Sequence, residues 1–113
     1  MIGIRDTLER LLMNTLENTQ KRLYVLISNK LPSVYGCVQG GHAVAQYLLD
    51  HPKQEWNNQY LIYVYADVDT WRKKLDKYCI DYSLFREPDL DNALTAIAVE
   101  DKGRLFRNLK LVE

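Results

Sequence analysis

Glycine, proline and cysteine are all scarce in this chain: five, three and two among 113 residues. That composition excludes collagen-like repeats and Pro/Gly-rich low-complexity sequence. The two cysteines, Cys37 and Cys79, form neither a CxxC pair nor any zinc spacing. With only His42 and His51 beside them, the chain offers little to a metal. A disulfide between Cys37 and Cys79 is one possibility; without a secretion signal the expectation is two free thiols. Charge of one sign is lacking too. Fifteen Lys and Arg face fifteen Asp and Glu, for a formal net charge of zero, which argues against coating a nucleic acid through bulk charge and leaves only a local basic patch. The longest apolar run, Tyr60–Ala66, has seven residues, whereas a bilayer span needs roughly 20. The opening stretch MIGIRDTLERLL carries charges inside its apolar pattern and has no signal-peptide h-region. The expectation is a soluble, cytoplasmic protein with no membrane partner.

What is present reads as one ordinary core. Apolar residues make up 47% of the chain and charged residues 27%, a globular balance in a length that suits a single domain. Residues 4–20 follow helical spacing, with Ile4, Leu8, Leu11, Leu12 and Leu16 on one stripe. The run Leu23–Ile27 is β-branched and aromatic with no polar face, as in a strand buried on both sides. Asn29–Gly36 contains Pro32, Ser33 and Gly36 and reads as a loop. From Gln39 to Asp50 the pattern is helical, with Gly41, Val44, Ala45 and Leu48 on one face and His51-Pro52 as the stop.

Tyr60–Ala66 is a second apolar strand, expected beside Leu23–Ile27 with Leu26 and Val64 buried. Asp69 reads as the N-cap of a second helix with Trp71, Leu75, Tyr78 and Cys79 on its buried stripe. Tyr82–Arg86 and Leu94–Val99 read as short strands around a turn, and Gly103–Leu109 as a last short helix. Alternating elements of this kind predict an α/β layer fold: a mixed, mostly parallel four-stranded sheet covered by helices, preceded by an amphipathic helix. The chain divides into that N-terminal segment, residues 1–21, and the α/β domain, residues 22–113.

In an open α/β sheet, ligands bind where strands lead into helix N-termini. The first such junction runs from Ser28 to His42. On the expected first helical turn, Gly40 and Gly41 let a ligand approach the backbone, whose free N–H groups favour an oxyanion. Gln39, His42 and Gln46 share one flank, where His42 could act as general base. The plainer alternatives are a glycine pair needed for helix–sheet packing and a hydrogen-bonded structural histidine. Arg86-Glu87-Pro88-Asp89 ends the third strand, and a carboxylate there could orient His42 or a water; a simple turn explains it as well. Arg72, Lys73, Lys74 and Lys77 form a basic flank on the second helix, either solvated or in contact with phosphate. Neither GxGxxG nor GxxxxGK[ST] occurs.

An apolar strand, a loop and then Gln39-x-x-His42-Ala43 resembles the type II peptidyl-tRNA hydrolase family, which has a strand followed by GK-x-A-A-Q-x-x-H-A. Leu84-Phe85-Arg86-Glu87 resembles the strand that ends in that family's Asp-Ala-Gly-Arg-Thr segment. Leu94-Thr95-Ala96-Ile97-Ala98 resembles its Thr-Val-Leu-(Ala/Gly)-Ile-Gly strand, and Asn108-Leu109-Lys110-Leu111-Val112 its His-Leu-Lys-Leu-Tyr terminus. The similarity runs from about Arg22 to Glu113. The departures are specific. Tyr35 stands at the family's lysine, Lys30-Leu31 where an acidic residue precedes a leucine, and Glu87 at the aspartate, while the Gly-Arg-Thr stretch is shortened.

The resemblance implies hydrolysis of the ester between a peptide or acyl group and the 3′ end of tRNA. His42, Glu87 and Thr95 would then be the catalytic group, with Gln39, Gly40, Gly41 and Tyr35 on the substrate. Independently of the resemblance, Lys30, close in sequence, would supply the charge that Tyr35 does not, and Lys73 and Lys74 of the basic flank would meet tRNA phosphates. No metal or organic cofactor is implied. The alternative is a catalytically inactive relative that binds a nucleotide, an RNA end or a protein. A third reading is a small scaffold pairing as a homodimer through its first helix, whose leucines need a cover.

Overall fold

The computed structural model describes residues 21–101 and 103–113. The amphipathic segment at residues 4–20, and the homodimer built on it, lie outside them. The described elements are β1 (Arg22–Ser28), α1 (Ser33–Asp50), β2 (Tyr60–Ala66), α2 (Val68–Lys77), β3 (Ser83–Glu87), a 3₁₀ turn (Pro88–Leu90) and β4 (Ala93–Glu100). Together they form the expected α/β domain. The four strands lie in the order β2-β1-β4-β3.

The sheet is mixed, but its parallel share is smaller than the sequence suggests. β1 and β2 are parallel, while β4 runs antiparallel to both β1 and β3. The reason is the short link after β3: five residues cannot carry a crossover, so β4 folds straight back and slots between β3 and β1. Leu26 pairs with Val64 and both are buried, as two runs apolar on both faces require.

α1 packs on the face that carries Leu23, Ala96 and Ala98, and α2 on the opposite face with Leu26, Ile97 and Val99. α1 starts six residues earlier than the periodicity indicates. Pro32 at its N-cap and Ser33, Gly36 inside its first turns read as loop signals, yet proline directly ahead of a helix costs it no hydrogen bond. The buried face also differs. It is Gly36, Gln39, Gly40, Ala43 and Tyr47, whereas Gly41, Ala45 and Leu48 are exposed. α1 lies so close to the sheet that small residues must face it. A Cβ on Gly36 would collide with Ile27, and one on Gly40 would lie 2.7 Å from the Tyr63 ring and 2.9 Å from Val25. A reading that weighs residues by hydrophobicity turns the larger ones inward instead.

α2 is capped by Asp67 rather than Asp69: the Asp67 carboxylate accepts from the Thr70 N–H at 3.3 Å. That bond holds its carboxyl below the usual range. Leu75 is buried, but Tyr78 and Cys79 are exposed because the helix ends at Lys77 and Cys79 turns left-handed at φ 55°. Ile80 N–H donates to Leu75 C=O and Cys79 N–H to Asp76 C=O, the bond pair of a Schellman ending. Both cysteines are free.

Past β4, the short helix expected near Gly103–Leu109 is a set of turns that plugs Phe106 into the core. The tail then runs along the outer edge of β2. Tyr65 N–H donates to Lys110 C=O at 2.8 Å and Val112 N–H to Tyr63 C=O at 3.0 Å. Among the described residues, no helix is long and apolar enough to cross a membrane.

Candidate functional site

One irregularity in the sheet organises the candidate site. Down the β3–β4 ladder, Phe85 pairs with Ala96 but Arg86 pairs with Leu94, so Thr95 is an extra residue on β4. Without this bulge, Thr95 would share the α2 face with Ile97 and Val99. With it, Leu94 joins that face and Thr95 turns toward α1. Its hydroxyl donates to Gln39 Oε1 at 2.7 Å and lies 3.2 Å from the Phe85 carbonyl. Gln39 Nε2 in turn donates to Glu87 Oε2 at 3.2 Å. The order is chemically forced: a carboxylate only accepts, so the amide nitrogen must face Glu87 and the amide oxygen Thr95.

Gln39 and Thr95 are each 2% exposed. Their polar atoms are satisfied inside the protein, as buried groups must be, so they act on a ligand only through Glu87 and the surface around it. Glu87 is half-buried at the end of β3, and its second oxygen accepts the Asp89 N–H at 3.3 Å. Tyr35, one helical turn before Gln39, has its hydroxyl pushed above the usual value, by desolvation first and then by the Glu87 and Asp89 carboxylates. It lies within the field of the acidic end of β3, as a lysine at that position would.

His42 is exposed on the next turn of α1. Its ring stacks on Phe85 at 4.4 Å between centroids and 12° between planes. Among the described residues the imidazole nitrogens have no hydrogen-bonding partner, Glu87 included. Four of the sequence-derived residues (Gln39, His42, Glu87, Thr95) therefore meet where α1 crosses β3 and β4. Gly40 and Gly41 do not serve as expected. Because α1 starts at Ser33, they lie inside the helix, where their N–H groups belong to the helical ladder. The groups ahead of the first ladder bond, Gly36 N–H to Pro32 C=O, are those of Ser33, Val34 and Tyr35, and among the described residues no side chain caps them.

A cleft of about 260 Å³ opens at the ends of β1 and β2, lined in part by Ser28, Lys30, Asp67, Val68, Arg86 and Thr95 but by none of Gln39, His42 and Glu87. This is where parallel strands place ligands. Lys30 lines this cleft, near enough to Asp67 to help keep it ionised. Lys73 and Lys74 do not join the site. They project from α2, which packs on the other face of the sheet, and Lys74 Nζ lies 4.7 Å over the Trp71 ring.

Sequence reasoning missed a second and larger cavity, about 630 Å³, at the opposite end of the sheet, lined in part by Tyr47, His51, Pro52, Ile80, Asp81 and Glu100. Tyr47 donates its hydroxyl to Glu100 Oε1 at 2.6 Å, and burial followed by that bond pushes the Tyr47 hydroxyl well up. These residues carry no local pattern; only the fold gathers them. Among the described residues no cluster of His, Cys, Asp or Glu is placed to hold a metal ion. Compared with known protein families and with curated proteins, the chain matches none.

Proposed function

We propose that this protein hydrolyses the ester between a peptide or acyl group and the 3′ end of tRNA. The observation that carries this reading is the convergence of Gln39, Glu87 and Thr95, far apart in sequence, into one hydrogen-bonded chain beside an exposed His42. In this mechanism His42 takes a proton from water, and the resulting hydroxide attacks the ester carbonyl. The tetrahedral oxyanion forms at the exposed edge of His42, while the free N–H groups of Ser33–Tyr35, about two helical turns away, and Lys30 are left to meet phosphates of the tRNA end. Collapse breaks the bond to the ribose oxygen, which receives the proton from His42. The products are the acid and tRNA with a free hydroxyl. Gln39 and Thr95 hold Glu87 in place. Charged tRNA is a cytoplasmic substrate, and this reading puts the protein there.

Deacylation of an N-blocked aminoacyl-tRNA tests it. The wild type releases the acyl group, and His42→Ala lowers the rate by roughly 10²–10⁴-fold, the span for losing a positioned acid–base group. Its melting temperature hardly moves, because an exposed ring contributes little to the core. A fully active His42→Ala protein ends the assignment of the base. A wild type that never cleaves favours the second reading, a binding module for an RNA end, which the lack of a polar partner for His42 among the described residues and the tyrosine at position 35 support.

A further inference from the structure

A general base must be held at one orientation, and usually a carboxylate or carbonyl on its far nitrogen does this. That device is absent among the described residues. Glu87 has one oxygen on Gln39 and the other on the Asp89 N–H, and no described residue partners the His42 nitrogens. What touches the imidazole is a flat apolar surface: the Phe85 ring, nearly parallel at 12° and 4.4 Å away.

Phe85 itself is fixed. It packs partly buried against the Leu23, Ala43, Tyr47, Ala96 and Ala98 cluster, its residue pairs with Ala96 immediately beside the bulge, and its carbonyl lies within hydrogen-bond reach of the Thr95 hydroxyl. The same strand residue thus meets His42 through its ring and the Thr95–Gln39–Glu87 chain through its backbone. We propose that Phe85 is the positioning residue for His42, with aromatic stacking doing the work that a hydrogen-bonded carboxylate does in other histidine-based sites. This rests on the hydrolase reading above. Stacking of this kind fixes the plane of the imidazole and leaves both nitrogens at its edge, one to take the proton and one in water.

The experiment uses the full chain and N-blocked aminoacyl-tRNA, with Phe85→Leu, Phe85→Met and Phe85→Tyr compared in the wild-type and His42→Ala backgrounds. Ring-proton NMR of His42, identified by its loss in His42→Ala, reports the stack separately from activity. Phe85→Leu is expected to abolish the upfield ring-current shift of His42 and lower kcat about tenfold with KM unchanged, as displacement of a catalytic group does. Phe85→Met, whose flexible chain fills the space without a ring, gives the same kcat loss should the leucine variant not fold. Phe85→Tyr keeps both the shift and the rate. In the His42→Ala background, Phe85→Leu costs no further rate, because the two residues act as one unit. An active wild type with wild-type kcat in the leucine and methionine variants overturns the positioning role and leaves the hydrolase reading standing. An equal kcat loss with and without His42 also overturns it, assigning Phe85 a structural role. A wild type that cleaves nothing removes the hydrolase reading and this role together.

Discussion

Gly40 and Gly41 are neighbours in sequence with opposite surroundings. A Cβ at Gly40 would press into the Tyr63 ring and Val25, and one at Gly41 meets nothing within 4 Å. Gly40→Ala is therefore expected to destabilise the fold by about 1–3 kcal/mol through overpacking. Gly41→Ala should stabilise it by about 0.5–1 kcal/mol, since alanine loses less backbone entropy in a helix interior. Denaturant unfolding of the two variants checks the opposite signs. Tyr47 gives a pH prediction at the same scale. Its pKa is raised in the fold, so its contribution is present below the ordinary tyrosine value of about 10 and is lost as pH climbs above it. Thermal melts of the wild type should fall off above about pH 10, and Tyr47→Phe should flatten part of that decline. At neutral pH it should lose about 1 kcal/mol with the bond to Glu100. An unchanged alkaline limb in Tyr47→Phe would assign the decline to other tyrosines.

At the scale of elements, the bulge on β4 and the tail on β2 each solve a sheet problem. The bulge spends one residue to bring Thr95 onto the face where Gln39 waits. The tail covers an edge strand that would otherwise present free N–H and C=O groups to other chains. β2 shows why a cover matters: Tyr60–Ala66 is apolar throughout, and Leu61 is half-exposed. Truncation after Leu109 removes the bonds to Tyr63 and Tyr65. It should lower the melting temperature and make the protein aggregate faster on mild heating, followed by light scattering. Unchanged aggregation would mean that the edge is protected by its twist alone. α1 and α2 differ in kind. α2 is short, capped and strongly charged outside, whereas α1 has no Lys, Arg, Asp or Glu before Asp50 and buries its smallest residues.

The whole molecule has no excess charge with which to attract RNA. Any binding of a tRNA end must come from a few cations near the cleft. Lys30 is placed there, while Lys73 and Lys74 stand on the α2 side of the sheet. Affinity for N-blocked aminoacyl-tRNA should fall with salt, with a log–log slope of about −0.7 per neutralised phosphate of a single strand. Lys30→Glu should weaken binding and shallow that slope. The Lys73→Glu, Lys74→Glu double variant should change little. The reverse ranking, read by filter binding across a salt series, would move the RNA path to the other face.

Local pattern alone determined a good part of this protein. Leu23–Ile27 and Tyr60–Ala66 are apolar at every position, which marks both as strands, and β1 and β2 lie side by side, with β1 mostly buried and Leu61 of the edge strand β2 still exposed. The three-residue spacing from Gln39 to His42 already put them on one flank of a helix. The start of α1 was hidden because Pro32, Ser33 and Gly36 send loop signals, and the strength of the contact with Ile27 that makes Gly36 necessary is a property of two elements packed together. The choice of buried face on α1 was hidden for the same reason: closeness to the sheet, not hydrophobicity, selects Gly40 and Ala43. Thr95 reaches Gln39 only because the β3–β4 register slips by one residue, and a one-residue slip leaves no trace in a strand's composition. Tertiary structure also engaged Glu87 with Gln39 and Asp89 and left His42 lying on Phe85, since which partner a carboxylate finds depends on distances that no single segment contains.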